Sequence, residues 1–261
     1  MHPGMQTRTT SDVSGDAPSS DATAPAPFGY HPALDGIRAI AIVSVMLFHY
    51  VFRNHLIMPH GLLGVDAFFV LSGFLITALL LREHGRTERI SLRNFYVRRA
   101  LRLLPLLACI IVVAIVINVA FPYGYPGRPA GPGIVAAAFY YANWYTLWHP
   151  DTLGILGVTW SLSIEEQFYL LWPVLLMTLL LFKPRRGTVV IATFTAFVVA
   201  VVYRTTFFYR HQAPPSFVDF YFRATGRGHL QVQQDPGPTR VYFGSDTRAH
   251  QLLLGCFLAA L

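Results

Sequence analysis

Apolar and polar positions in this chain fall in long separate blocks, not in the short alternation or 3.6-residue stripe of a soluble fold. Five blocks, 33–52, 62–81, 101–120, 162–182 and 188–208, are apolar almost throughout, and each reaches the roughly 20 residues an α-helix needs to cross a bilayer. They predict an all-α fold, a polytopic bundle of transmembrane helices. A sixth block opens near Ala249 and is apolar from Leu252 to Leu261, about half a bilayer, so we expect the native protein to continue with further spans. Residues 1–32 are rich in Ser, Thr, Asp, Ala and Pro and lack the basic start and apolar centre of a secretory leader. The expected organisation is a disordered tail, 1–32, and a transmembrane domain, 33–261.

Composition supports the bilayer reading: 54% of the residues are hydrophobic and 13% charged, where soluble domains carry roughly a quarter charged residues. The net charge of +7 could suggest nucleic acid, but nineteen of the twenty basic residues are Arg and they cluster beside the apolar blocks. Arg82, Arg86, Arg89, Arg93, Arg98, Arg99 and Arg102 crowd the segment between the second and third blocks against only Glu83 and Glu88. That loop is expected in the cytoplasm, because short cytoplasmic loops hold an excess of Lys and Arg. Counting outward puts the N-terminal tail inside, 54–60 outside, and Lys183, Arg185 and Arg186 inside again. The stretch 134–148 is then expected at the outer interface or as a re-entrant piece, which its Tyr and Trp residues suit, and the polar segment 210–247 outside. Cys109 and Cys256 sit in apolar runs with neither disulfide nor metal spacing, and are expected to be packing residues.

Ionisable residues inside spans are costly and mark candidate chemistry. Arg38 and His49 lie eleven residues apart in the first block, about 20° past three full helical turns, so they share a face with the arginine at one end and the imidazole at the other. Asp35 is placed to pair with Arg38. Two of the four glutamates, Glu165 and Glu166, open the fourth block at about the depth of His49. Adjacent helical residues point about 100° apart, so one is expected to face the site and the other to be an N-terminal charge after a Ser161 or Ser163 cap. His49 has two readings: an interfacial histidine bonded to a neighbouring helix, or, oriented by a carboxylate, a general base for a hydroxyl. Arg99 and Arg102 serve topology, and their three-residue spacing also suits clasping phosphates. Asp66, Ser72 and Gly73 are expected to be structural, small residues permitting close helix contact and the hydroxyl bonding across helices.

Together these motifs form an ordered series. LDGIRAIAIVSVMLFH (34–49), GVDAFFVLSGFLIT (64–77), FYVRRALRLLP (95–105), WSLSIEEQFYLLWP (160–173) and YFGSDTRAHQLLLGC (242–256) resemble, in order, successive blocks of the acyltransferase-3 family of membrane O-acyltransferases. The resemblance implies a helical membrane domain of about ten spans in the complete protein, acyl-coenzyme A as donor, and cell-envelope glycans, other carbohydrates or secondary metabolites as acceptors. It places His49 in the catalytic position with Arg38 and Glu165, and Arg99 and Arg102 at the donor. The sequence departs from the family pattern at His250, where an acidic residue is expected. Apolar surroundings disfavour a thiolate at either cysteine, so direct transfer is expected over a covalent intermediate. The rival reading is a proton-coupled transporter or flippase, which should show repeated halves with helices broken at the midplane; the sequence has no such repeat.

Overall fold

The computed structural model describes residues 32–47, 63–121, 129–150, 152–211 and 237–261, excluding the side chains of Pro32, Asp35, Met46, Gly237 and Pro238. His49, the tail up to residue 31, the loop 54–60 and the Asp35 side chain therefore lie outside the described residues. Among the described residues every regular element is helical, which follows from lipid as solvent: each backbone N–H and C=O must find a partner within its own segment. The helices are α1 Pro32–Met46, α2 Leu63–Thr87, α3 Leu92–Ala120, α4 Gly131–Ala138, α5 Ala142–Trp148, α6 Thr159–Leu181, α7 Arg186–Arg210, α8 Gly237–Phe243 and α9 Ser245–Ala260. A 3-10 turn, Gly154–Val158, leads into α6. Among the described residues, four segments are long and apolar enough to cross a membrane, Leu63–Thr87, Leu92–Ala120, Gly154–Leu181 and Arg186–Arg210; they correspond to the second to fifth blocks.

Two expectations about element boundaries are corrected. The third block is the later part of a helix that starts at Leu92, so Arg93, Arg98, Arg99 and Arg102 are helical, Arg82 and Arg86 end α2, and Arg89 alone of the seven lies in the connection. Hydropathy marks the lipid-crossing part of a helix, whereas arginine is itself a good helix former and Ser91 caps the true start by accepting from Asn94 N at 3.4 Å. Neither Ser161 nor Ser163 caps α6; their hydroxyls bond back to Val158 O (3.2 Å) and Thr159 O (2.9 Å). Within the polar segment 210–247, residues 237–243 form α8, which packs on α5, α7 and α9.

Helix α2 is the centre of the bundle, flanked by α1, α6 and α9, while α3 lies against α6 and α7 against α9. Its crossing with α9 is backbone to backbone. A methyl group on Gly73 would collide with the Leu252 carbonyl, and one on Gly255 with the Val70 carbonyl. This is how helices associate where lipid supplies no hydrophobic drive: small residues let the chains approach and dispersion contacts accumulate. Cys256 is buried in this seam, its Sγ donating to Gly73 O at 3.6 Å. Cys109, by contrast, is exposed on α3, against the packing role expected of it; α3 turns most of its apolar surface outward, as a lipid-facing helix does. A core of Ile76, Leu80, Phe95, Trp172, Leu176 and Cys256 joins α2, α3, α6 and α9, and Trp172 Nε1 donates to Thr77 Oγ1 at 2.8 Å, satisfying both buried groups.

Candidate active site in the bundle interior

The Glu165/Glu166 pair divides between two helices. Glu165 points to α2, where the buried Ser72 hydroxyl donates to its Oε1 at 2.8 Å, and is only 5% exposed. An ionisable group at that depth is costly, and beside the Ser72 bond Arg99 and Arg38 lie near enough for their charges to act on it. Glu166, one residue on, faces α3. Arg99 Nε donates to its two oxygens at 3.1 and 3.0 Å, and Arg99 Nη2 donates to Oε1. The same guanidinium lies 3.3 Å above the Tyr169 ring, one helical turn further along α6. Antiparallel packing of α3 on α6 sets this register, with Tyr96 OH donating to Leu170 O at 2.8 Å.

Next along α6, Gln167 closes the site on the third side. Its Nε2 donates to Tyr140 O at 2.7 Å and to Asn143 Oδ1 at 3.0 Å, and its Oε1 accepts from Trp144 Nε1 at 3.3 Å. The stretch expected at the interface or re-entrant thus consists of α4 and α5, eight and seven residues long, too short to cross a bilayer. They turn at Tyr140, whose φ of 56° is a left-handed conformation uncommon for a bulky residue. The Gln167 bond pins that turn to α6. Burial, then the nearby Glu166, push the Tyr140 phenol up, with Arg99 opposing. The fully buried Asn143 links the hairpin onward, its Nδ2 donating to Phe243 O (3.0 Å) and Ser245 Oγ (2.9 Å).

A second polar corner lies where α2 and α9 begin. Arg248 Nη1 and Gln251 Nε2 both donate to Asp66 Oδ1 at 2.7 Å, and Arg248 Nε donates to Tyr242 O at 2.8 Å. Asp66 has the structural role expected of it, and its partner lies 182 residues away. His250 Nδ1 sits 2.9 Å from Thr247 O within its own helix. Asp246 instead accepts from Arg240 Nη2 (2.6 Å) and Tyr203 OH (2.7 Å).

Of the residues singled out from sequence, then, Arg38, Arg99 and Glu165 converge, and Ser72 bonds across helices as expected, to Glu165 itself. Arg102 is exposed and does not join them. Glu166 is not merely an N-terminal charge, because it holds Arg99. Gln167, Asn143 and Tyr169 were missed by sequence reasoning. Their signal was faint: a polar Gln beside the acidic pair, and one Asn in an otherwise aromatic stretch.

The model of the acyltransferase-3 family, an acyltransferase domain, matches residues 31–260. The peptidoglycan O-acetyltransferase OatA of Listeria monocytogenes is 34% identical over 237 residues, covering 88% of this chain and 34% of that protein. The O-acetyltransferase OatA of Staphylococcus aureus is 37% identical over 238 residues, again covering 88% of this chain and 34% of that protein. The chain therefore spans about a third of the length of these curated relatives. No solved structure matches.

Proposed function

The chain belongs to the acyltransferase-3 family, and on that premise we propose that the native protein transfers an acyl group, acetyl or longer, from acyl-coenzyme A to a hydroxyl of an envelope glycan, another carbohydrate or a secondary metabolite. The observation that carries this reading is the buried Glu165 carboxylate, held by Ser72 in the bundle interior with Arg38 and Arg99 about it. An ionisable side chain buried in a bundle interior is costly there and marks a place of chemistry more than of stability. The names of the two relatives support acetyl as the group and an envelope glycan as the acceptor.

In this mechanism His49 takes the proton of the acceptor hydroxyl as its oxygen attacks the thioester carbonyl. The carbon–sulfur bond breaks and the proton passes from His49 to the leaving thiolate of coenzyme A. Glu165 orients the neutral imidazole and stabilises the imidazolium that forms, and Arg38 offsets the charge developing nearby. Arg99 already spends its fork on Glu166 and its face on Tyr169, so Arg102 meets the donor phosphates while Arg99 sets the register of α3. The arginine-rich end faces the cytoplasm, where the donor is found, and the N-terminus lies on the same side.

Membranes containing the full-length protein, supplied with radiolabelled acetyl-coenzyme A and a panel of envelope glycans and hydroxylated metabolites, test this directly. Label should reach an acceptor with the native protein and not with His49→Ala. Undiminished transfer by His49→Ala would remove that residue from the mechanism. A native protein that labels nothing yet moves a glycan precursor across vesicles would replace acyl transfer with the transporter reading.

A further inference from the structure

Gln167, one residue beyond the Glu165/Glu166 pair, belongs to a closed ring of hydrogen bonds that joins three separate stretches of chain. Gln167 Nε2 donates to Asn143 Oδ1 at 3.0 Å, Asn143 Nδ2 donates to Ser245 Oγ at 2.9 Å, and Ser245 Oγ donates back to Gln167 Oε1. Backbone carbonyls fix its direction. The second proton of Gln167 Nε2 goes to Tyr140 O and that of Asn143 Nδ2 to Phe243 O, so turning either amide over sets acceptor against acceptor. Every amide proton in the ring has an acceptor, and a polar network satisfied in full holds its members rigidly. The same face of α6 mends a break in the backbone between α4 and α5. Gln167 Nε2 takes Tyr140 O at 2.7 Å and, one helical turn earlier, Ser163 Oγ accepts from Ala142 N at 3.2 Å. The left-handed φ of 56° at Tyr140 is a strained conformation that persists only where the surroundings impose it. Packing alone does not ask for that strain, because a glycine would make the turn without it. The turn brings the Tyr140 ring to where the charges of Glu166 and Arg99 reach it.

We propose that Gln167 is a positioning residue for the acceptor: the ring holds the α4–α5 hairpin against α6 beside the proposed reaction centre, and the hairpin so placed shapes the path by which a hydroxyl-bearing glycan reaches it. This rests on the acyl-transfer reading. The ring lies where α9 begins, whereas Arg186 of the arginine-rich end meets Leu261 just past the other end of that helix. In that reading the donor enters at the arginine-rich end, which leaves the end with the ring to the acceptor. A hairpin released from α6 therefore weakens acceptor binding and leaves the donor's contacts in place.

Full-length protein in detergent, given radiolabelled acetyl-coenzyme A and soluble peptidoglycan strands, or the panel member that takes label where the strands do not, yields a KM for each substrate. Gln167→Met keeps the length of the side chain and removes its hydrogen bonds. It is expected to raise the acceptor KM on the order of tenfold and to leave the donor KM within about twofold of native. Ser245→Ala opens the ring at one residue and is expected to raise the acceptor KM about threefold, with Ser245→Thr restoring most of the loss. Because both variants act through one ring, Gln167→Met/Ser245→Ala should be no worse than Gln167→Met. A purely structural role gives another pattern: the active fraction, and so the maximal rate, falls while both KM values stay native. That pattern overturns the proposal, as do native kinetics throughout or a donor KM that rises with the acceptor's. Should Gln167→Met not fold, Ser245→Ala against Ser245→Thr decides alone. A native protein that transfers label to no acceptor removes the acyl-transfer reading and this one with it; native transfer with unaltered KM values in the variants removes this one alone.

Discussion

Breaking the Arg99–Glu166 pair from one side should cost more than removing it altogether. In Glu166→Leu the guanidinium loses three donor contacts in a site where the pair's side chains are only 24% and 14% exposed. Removing one partner of a fully buried pair costs roughly 3–5 kcal/mol. Residual exposure and the Tyr169 ring, which continues to hold the cation at 3.3 Å, reduce this to about 2–3 kcal/mol. Arg99→Met strands the carboxylate and should cost a similar amount. In Arg99→Met/Glu166→Leu no charge is left unpaired and α3 packs on α6 through apolar surface. The double variant should therefore lie no lower than either single one, a coupling of about 2 kcal/mol. Equilibrium unfolding of the full-length protein in mixed micelles measures the four corners of this cycle. Additive costs, within about 0.5 kcal/mol, would show that the two side chains do not interact and that α3 and α6 are not in this register.

Three further outcomes follow from the same contacts. Gly73→Leu must push α2 off the Leu252 backbone, which over-packing alone puts at about 1–3 kcal/mol; wild-type stability would refute the α2–α9 crossing. Ser72→Ala removes the hydrogen bond to Glu165, about 1–3 kcal/mol for leaving a buried polar group unsatisfied, and on the proposed mechanism lowers transfer in the labelled-acetyl assay while Ser72→Thr retains it. Asp66→Asn removes the charge that Arg248, 3% exposed, meets at 2.7 Å, and should destabilise by about 2–4 kcal/mol; a thermal melt unchanged from wild type would show that this ion pair does not contribute to stability.

The spans were legible because hydropathy over a bilayer's thickness is a strong, local signal, and it located α2, α3, α6 and α7 without any knowledge of packing. Helix ends were less so: Leu92 starts α3 in a polar, arginine-rich stretch that hydropathy passes over. The charged residues of the site were also visible one by one, since Arg38, Arg99 and Glu165 each stand out against an apolar background, while His49 lies outside the described residues. What residue spacing could not supply was who meets whom. Arg99 stood out by its spacing from Arg102, but that it pairs with Glu166, 67 positions away, follows only from the antiparallel packing of α3 on α6 that brings them level.

Sequence by itself therefore determined that the chain is a multi-pass helical membrane protein, which residues are too polar to be idle there, and, through five ordered motifs, its family. Those properties depend on local composition and order, which are written in the chain. Tertiary structure alone decided that Ser72 holds Glu165, that Glu166 holds Arg99, that Gln167 pins a short hairpin against α6, and that Asp66 serves Arg248. Such pairings depend on helix rotation and depth, and here both are set by the close approach of Gly73 and Gly255 and by the registers of neighbouring helices, a long-range packing solution that no window of sequence contains.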